Sequence, residues 1–296
     1  MPGTLHVYSN ITIDLVRGVQ RPGGPGYYVA KAIRCLNLPL NPIVFSCLPK
    51  ASNILPVTSD LAFTIEGCSN GSEPTIFSIE VKGARRSLNL VKYCGACDRL
   101  SSADIAIVSP VYWEIPSHVL ARIPPNYKLT ILDVQGYVRL GTRPVQNTCM
   151  LLKSYLDLLL AWKESGRTLV KASIEDLGSA CAYEMLRRGL IDVITLGQKG
   201  LIARTSGGEV YYVEQKRISS NSIGAGDILS AVLAFSLYKG YGLLESSLIA
   251  VASSYHVLEE ECMEFNKVVL DALQGKTVSW QYIDESTLLY LLYSSI

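Results

Sequence analysis

Short apolar runs alternating with helical periodicity constrain this chain most. Ile105-Ala-Ile-Val108, Leu129-Thr-Ile-Leu-Asp133 and Asp192-Val-Ile-Thr-Leu196 have strand length and are apolar almost throughout, as strands covered on both faces must be. Helical spacing of apolar residues marks Ile174 to Arg188 and Leu229 to Tyr238. Upstream, Leu5 to Asp14 reads as a strand ending on a carboxylate. Tyr27 to Leu36 reads as a helix, with apolar residues at 29, 32, 33 and 36 and prolines at 39 and 42 beyond its end. Ile43 to Leu48 is the strand that follows. Repeated strand–helix units predict a parallel sheet with helices on both faces. Ligands of such sheets bind beyond the carboxyl ends of the strands.

Residues 55–93 depart from this pattern. Phe63-Thr-Ile-Glu66, Thr75 to Val81 and Arg85 to Val91 are strand-like runs separated by short turns, the signature of antiparallel hairpins. They read as a small β insertion, a lid, within a single domain over residues 1–296. The exposed strand edges of such an insertion offer a surface for homodimerisation. Twenty-seven basic and 26 acidic residues leave a net charge of +1, which gives no basic surface for nucleic acid. No apolar run approaches the roughly 18–20 residues of a membrane span. The N-terminal residues lack the basic flank and apolar core of a secretory signal, so a cytoplasmic location is expected. Eight cysteines, at 35, 47, 68, 94, 97, 149, 181 and 262, are scattered through the chain. Only Cys94-Gly-Ala-Cys97 has metal-like or redox-like spacing, and no second pair or nearby histidine completes a zinc site. Buried free thiols are expected, with a local disulfide as the alternative. His6, His118 and His256 form no metal set, and His256 is expected at the surface.

The strongest local signal is Asn221-Ser-Ile-Gly-Ala-Gly-Asp227, just ahead of the apolar run from Ile228 to Phe235. Small residues at 224–226 allow a tight turn whose N–H groups converge at a helix start. Those donors and the helix dipole suit an anion. Asp227 then lies beside the anion, placed to accept a proton from an attacking hydroxyl; as a residue of the first helical turn its pKa is expected to be depressed. The alternative is a loop in which Asp227 is only a helix cap.

Gly224-Ala-Gly-Asp227 resembles the signature of the ribokinase-like, or phosphofructokinase B, carbohydrate kinases. The resemblance implies a three-layer α/β/α sandwich with a mainly parallel central sheet and a small β lid. It implies that Gly224, Ala225 and Gly226 form an anion hole for the transferred phosphoryl group and that Asp227 is the base. Asn10-Ile-Thr-Ile-Asp14 is similar to the family's first strand, whose terminal aspartate holds substrate hydroxyls, and Gly23-Gly24 to its first substrate-binding glycine pair. Thr195-Leu-Gly-Gln-Lys-Gly200 is similar to the strand-loop element near the nucleotide, which assigns Thr195, Gly197 and Gly200 to ATP, along with Asn221 and Ser222. Ser173-Ile-Glu-Asp176 stands where the family has Asn-x-x-Glu near magnesium and phosphate, which assigns Ser173 to the nucleotide and Glu175 and Asp176 to Mg2+. Lys171 is a phosphate contact or a solvated charge.

Finer features resemble archaeal members near the myo-inositol kinases: Gly24-Pro-Gly-Tyr-Tyr28, Ser109-Pro-Val111 with Glu114, and Asp133-Val-Gln-Gly-Tyr-Val-Arg139. They assign Tyr28, Gln135 and Arg139 to the acceptor, with Arg139 paired to a phosphate or to Asp133. Asn221-Ser-Ile in place of the family's Asp-Thr-Thr removes a carboxylate from any monovalent-cation site. The implied activity is transfer of the γ-phosphoryl group of ATP to a hydroxyl of a small sugar or cyclitol, with myo-inositol among the candidates. Two alternatives are a nucleoside kinase, its base slotted among Tyr27, Tyr28 and Phe45, and a catalytically weak ligand-binding protein of the same fold.

Overall fold

A computed structural model describes residues 2–47, 63–67, 74–82, 85–141, 146–217, 219 and 222–295 of the 296-residue chain. The first half runs β1 (Gly3–Tyr8), β2 (Thr12–Val16), β3 (Val19–Gly23), α1 (Pro25–Cys35), β4 (Leu40–Ser46), β5 (Thr64–Gly67), β6 (Thr75–Lys82), β7 (Arg85–Lys92), β8 (Ala103–Val108) and β9 (Tyr127–Asp133). The second half adds α2 (Leu156–Glu164), β10 (Thr168–Ser173), α3 (Ile174–Leu177), α4 (Ser179–Arg187), β11 (Val193–Thr195), β12 (Gly200–Arg204) and β13 (Val210–Gln215). It ends with α5 (Ala225–Tyr238), α6 (Leu243–Leu258), α7 (Phe265–Leu273), β14 (Val278–Tyr282) and α8 (Glu285–Tyr293).

Ten strands form one sheet in the order β14-β13-β12-β11-β10-β9-β8-β1-β4-β5. From β11 to β5 every neighbouring pair is parallel, and β12, β13 and β14 add an antiparallel edge. Side-chain alternation divides each central strand between two cores. Ile105 and Ile107 of β8 point into a cluster with α1, α5, α6 and α7, while Ala106 and Val108 point into one with α2, α3, α4 and α8. That two-sided burial explains why the central strands read as continuous apolar runs. The result is a three-layer α/β/α sandwich. No helix among the described residues is long and apolar enough to cross a membrane.

Several sequence expectations are corrected. Leu5 to Asp14 is not one strand: the chain leaves the large sheet after Tyr8 and enters a second, four-stranded sheet at Thr12, ordered β3-β2-β6-β7. Residues 55–93 therefore supply only two strands of that sheet, while β5 pairs with β4 in the large one. Parallel pairing of β2 with β6 joins segments some sixty residues apart, a contact no local pattern encodes. The helix read from Ile174 to Arg188 breaks at Gly178, whose φ of 72° ends α3 before α4 begins. His256 is buried rather than at the surface, its Nδ1 3.3 Å from Glu261.

The free-thiol expectation fails most plainly. Cys35 is bonded to Cys262, Cys47 to Cys94 and Cys149 to Cys181. Cys97 is also disulfide-bonded, and no described cysteine is free. Cys68 lies outside the described residues. Apolar surroundings alone do not distinguish a buried thiol from a buried half-cystine, and three of these partners are between 32 and 227 residues apart. The Cys35–Cys262 bond spans 227 residues, so its loss in a Cys35→Ala/Cys262→Ala protein is expected to cost about 5 kcal/mol on the chain-entropy scale. Loss of Cys149–Cys181, spanning 32 residues, is expected to cost about 4 kcal/mol on the same scale; guanidinium midpoints of the two variants check the order.

Candidate active site

The carboxyl ends of β9 and β10 meet the N-terminus of α5. Lys171 stands opposite Asp133 in the β9–β10 ladder. Its ammonium is bonded to Asp133 Oδ2, and both side chains are nearly fully buried. The reading of Lys171 as a solvated charge is thus overturned, because a strand with helices on both faces leaves its side chains no route to water. The Nζ lies 3.4 Å from where a Cβ on Gly226 would stand, so the lysine is aimed at the first turn of α5.

Gly224 caps α5 with φ 83°, a left-handed conformation that glycine adopts without penalty. A Cβ there would also run into the ring of Tyr28, so only glycine lets α1 and α5 approach this closely. The amide of Ala225 donates to Ser222 O at 3.3 Å and that of Asp227 to Gly224 O at 3.1 Å. The Ala225 amide expected for the anion hole and the Asp227 amide beside it therefore close local turns.

Asp227 follows in the first turn. Gln135 Nε2 is 3.5 Å from its Oδ1 and also donates to Ser109 at 2.9 Å. Burial, then the nearby charge of Asp133, raise the Asp227 pKa to about 7, against the opposing pull of Lys171, Arg139 and Gln135. The expected depression is reversed, because a helix dipole contributes only about 0.3–1 kcal/mol and desolvation beside a second carboxylate outweighs it.

Arg139 is the second cation. Its guanidinium donates to Val111 O at 2.7 Å and Gln135 Oε1 at 3.0 Å, and lies 3.8 Å from Asp176. Of the two partners open to it from sequence, Asp133 is not the one it takes. Its Nε is buried with no hydrogen-bond partner among the described residues. The Trp113 indole donates to Arg139 O at 2.7 Å and fixes the main chain there.

Asp14 reaches the site from the second sheet. Its carboxylate lies on the face of Gly23, where a Cβ would displace it. Thr12 Oγ1 donates to it at 2.7 Å. Burial raises its pKa to about 6, with Thr12 and Arg139 pulling the other way. Arg139 thus acts electrostatically on Asp14 and Asp227 alike.

The remaining expected residues sit around this centre. Gly24 caps α1, and Ser173 caps α3 by accepting the Glu175 amide at 3.2 Å. Asp176 is buried, accepts from Asn147 at 3.2 Å, and has its pKa raised by burial. Glu175 is exposed, so this pair does not converge on one point. Among the described residues no three His, Cys, Asp or Glu side chains cluster as a metal cage. Thr195 ends β11 opposite Ser173, Gly197 opens the following turn, and Gly200 begins β12. Asn221 lies outside the described residues. Asp133 was visible in the sequence as a carboxylate at a strand exit but was not assigned to the site; only the β9–β10 register shows that it holds Lys171.

No protein-family model and no curated protein matches the chain. Solved structures do. A pyrophosphate-dependent kinase in the ribokinase family, solved with a pyrophosphate analogue and myo-inositol, superposes with a TM-score of 0.69 over 88% of this chain and 100% of that one, at 13% identity. The chain has the ribokinase fold. Arabidopsis thaliana ribokinase, complexed with ribose and ATP, shares that fold at a TM-score of 0.62, covering 93% of this chain and 99% of its own, with 15% identity. Aminoimidazole riboside kinase from Salmonella enterica, complexed with aminoimidazole riboside and an ATP analogue, does so at 0.64, covering 91% and 99%, with 16% identity.

Within this ribokinase fold, Lys171→Met deletes the charge and leaves Asp133 buried and unpaired. It is expected to cost about 3–5 kcal/mol in chemical denaturation and to drive the Asp227 pKa further up in an NMR titration of the carboxyl carbons. Because the folded pKa of Asp227, about 7, exceeds that of an unfolded aspartate, its contribution to stability is full at acid pH and lost as pH rises through 7. Asp227→Asn is therefore expected to raise Tm at pH 8 and leave it nearly unchanged at pH 4.

Proposed function

We propose that this protein is a phosphotransferase that moves a phosphoryl group onto a hydroxyl of a small sugar or cyclitol. The observation that carries the reading is Asp227, held proton-ready at the N-terminus of α5 beside Lys171. Phosphoryl transfer passes through a loose transition state, so positioning and charge stabilisation dominate. The backbone of Gly224, Ala225 and Gly226, with Lys171, faces the migrating group. Asp227 accepts the proton of the attacking hydroxyl. Asp14, Gly23, Gly24, Tyr28, Gln135 and Arg139 surround the acceptor, with the unpartnered Arg139 Nε offering a donor. The second sheet serves as the lid of a single domain.

The donor is ATP in this reading, with Ser173, Thr195, Gly197, Gly200, Asn221 and Ser222 along its path. The room kept free of a Cβ beside Lys171 at Gly226 fits a phosphate. Magnesium, when bound with the donor, screens phosphate charge. Glu175 and Asp176 are the carboxylates that would hold it in this reading, the exposed Glu175 and buried Asp176 needing the bound donor to bring them to one ion. The nucleoside alternative loses one wall of its slot, since Phe45 is buried and stacked on Tyr8 with ring centroids 4.8 Å apart. A cytoplasmic location accords with these disulfides where intracellular cross-links persist, as in hyperthermophiles. The insertion's edge strand β7, where Val91 is 45% exposed, is the surface for the expected homodimer.

Phosphorylation is measured with ATP and with pyrophosphate as donors, against myo-inositol, ribose, fructose, adenosine and cytidine. A cyclitol or sugar product is expected, and its absence from every arm overturns the reading in favour of a ligand-binding protein. Asp227→Asn is expected to lower turnover by about 100-fold or more, the scale of general-base loss. Turnover of the wild-type protein is expected to fall as pH drops through about 7, where Asp227 takes up its proton.

A further inference from the structure

Asp14 lies on the second sheet and Asp227 on α5, a helix packed on the large sheet, so the angle between the sheets decides whether both can face one acceptor. Four residues on four chain segments close a ring where the sheets join. The Cys47 amide donates to Asn10 Oδ1 at 2.8 Å. Asn10 Nδ2 donates to Thr75 Oγ1 at 3.1 Å. The Cys94 amide donates to the same oxygen at 3.2 Å, and Cys94 is disulfide-bonded to Cys47. Asn10 lies in the crossing from β1 to β2, Cys47 follows β4 of the large sheet, Thr75 opens β6 and Cys94 follows β7 of the small sheet. Asn10 and Thr75 are completely buried, and the Asn10 amide donates to Glu114 Oε1 at 3.1 Å.

The ring reaches Asp14 through strand register. Thr75 stands directly opposite Thr12 in the parallel β2–β6 ladder. Thr12 and Asp14 are two residues apart and therefore share a face of β2, and the threonine hydroxyl holds the carboxylate. Whatever fixes the Thr12 row fixes Asp14 one pleat above it. Asparagine suits the junction because its amide carries a donor and an acceptor on one short planar group, one for each sheet.

We propose that Asn10 and Thr75 are positioning residues that set the angle of the second sheet, and so the placement of Asp14 at the acceptor, with the Cys47–Cys94 bond holding their ring closed. Neither touches a reacting atom. The inference rests on the reading of the site as a phosphotransferase with Asp14 at its acceptor end.

Thr75→Val keeps the volume and removes both hydrogen bonds. It is expected to raise KM for the acceptor about tenfold, the scale of one net hydrogen bond, while KM for the donor stays within about twofold; Thr75→Ser is expected to restore the wild-type value. Asn10→Leu and the Cys47→Ser/Cys94→Ser double variant are expected to shift acceptor KM in the same direction. Hydrogen–deuterium exchange supplies a readout without turnover: amides of β2 and β6 are expected to exchange faster in Thr75→Val, with β8 and β9 unchanged. A lower Tm with both KM values and β2 exchange unchanged overturns the proposal in favour of a merely structural role. If the wild-type protein phosphorylates nothing in the panel, the phosphotransferase reading fails by itself, and unchanged exchange in β2 then refutes the ring separately.

Discussion

The ion pair between Lys171 and Asp133 sets the charge balance on which the whole site depends. Four carboxylates, Asp14, Asp133, Asp176 and Asp227, gather where the strands end, and among the described residues Lys171 and Arg139 answer them within the site. In so dry a region the surplus negative charge cannot be solvated, so Asp14 and Asp227 hold their protons toward neutrality. A site with that surplus is poorly suited to holding another bare anion. Any phosphate that enters must bring compensating positive charge or meet the amides of α5.

Arg139 is the mechanical counterpart of Lys171. The lysine is sealed within the large sheet, whereas Arg139 is gripped through its main chain by Trp113 and through its guanidinium by Val111, Gln135 and Asp176. Val111 also packs under the second sheet with Phe77, Ile79 and Leu90. The loop after β8 therefore touches the Arg139 guanidinium and the underside of the second sheet at once. Glu114 holds that loop by accepting from Asn10, Val111 and Tyr112.

What was legible in the sequence was what local periodicity encodes. β8, β9 and the helix from Leu229 to Tyr238 lay close to where apolar spacing put them, and the turn before α5 lay where its glycines did. The second sheet was only half visible, because β2 and β6 meet through a contact far apart in sequence. Lys171 was left between a phosphate contact and a solvated charge for a related reason: one lysine in an apolar run gives no sign of whether a carboxylate waits on the next strand. The Asp227 pKa was misjudged because the helix start is visible in sequence and the neighbouring Asp133 is not. The cysteines were misassigned since pairing is a property of the folded backbone.

The bond between Cys35 and Cys262 has a consequence for how the molecule is made. One thiol sits at the end of the first helix, and the other emerges from the ribosome only after nearly nine-tenths of the chain has been translated. Until then only packing and the shorter-range bonds Cys47–Cys94 and Cys149–Cys181 can hold the earlier part of the chain, and this fastening comes as a finishing step. A nascent chain oxidised too soon would offer Cys35 the thiols of Cys47 or Cys94 instead, so the timing of oxidation, as well as the sequence, selects the correct pairing.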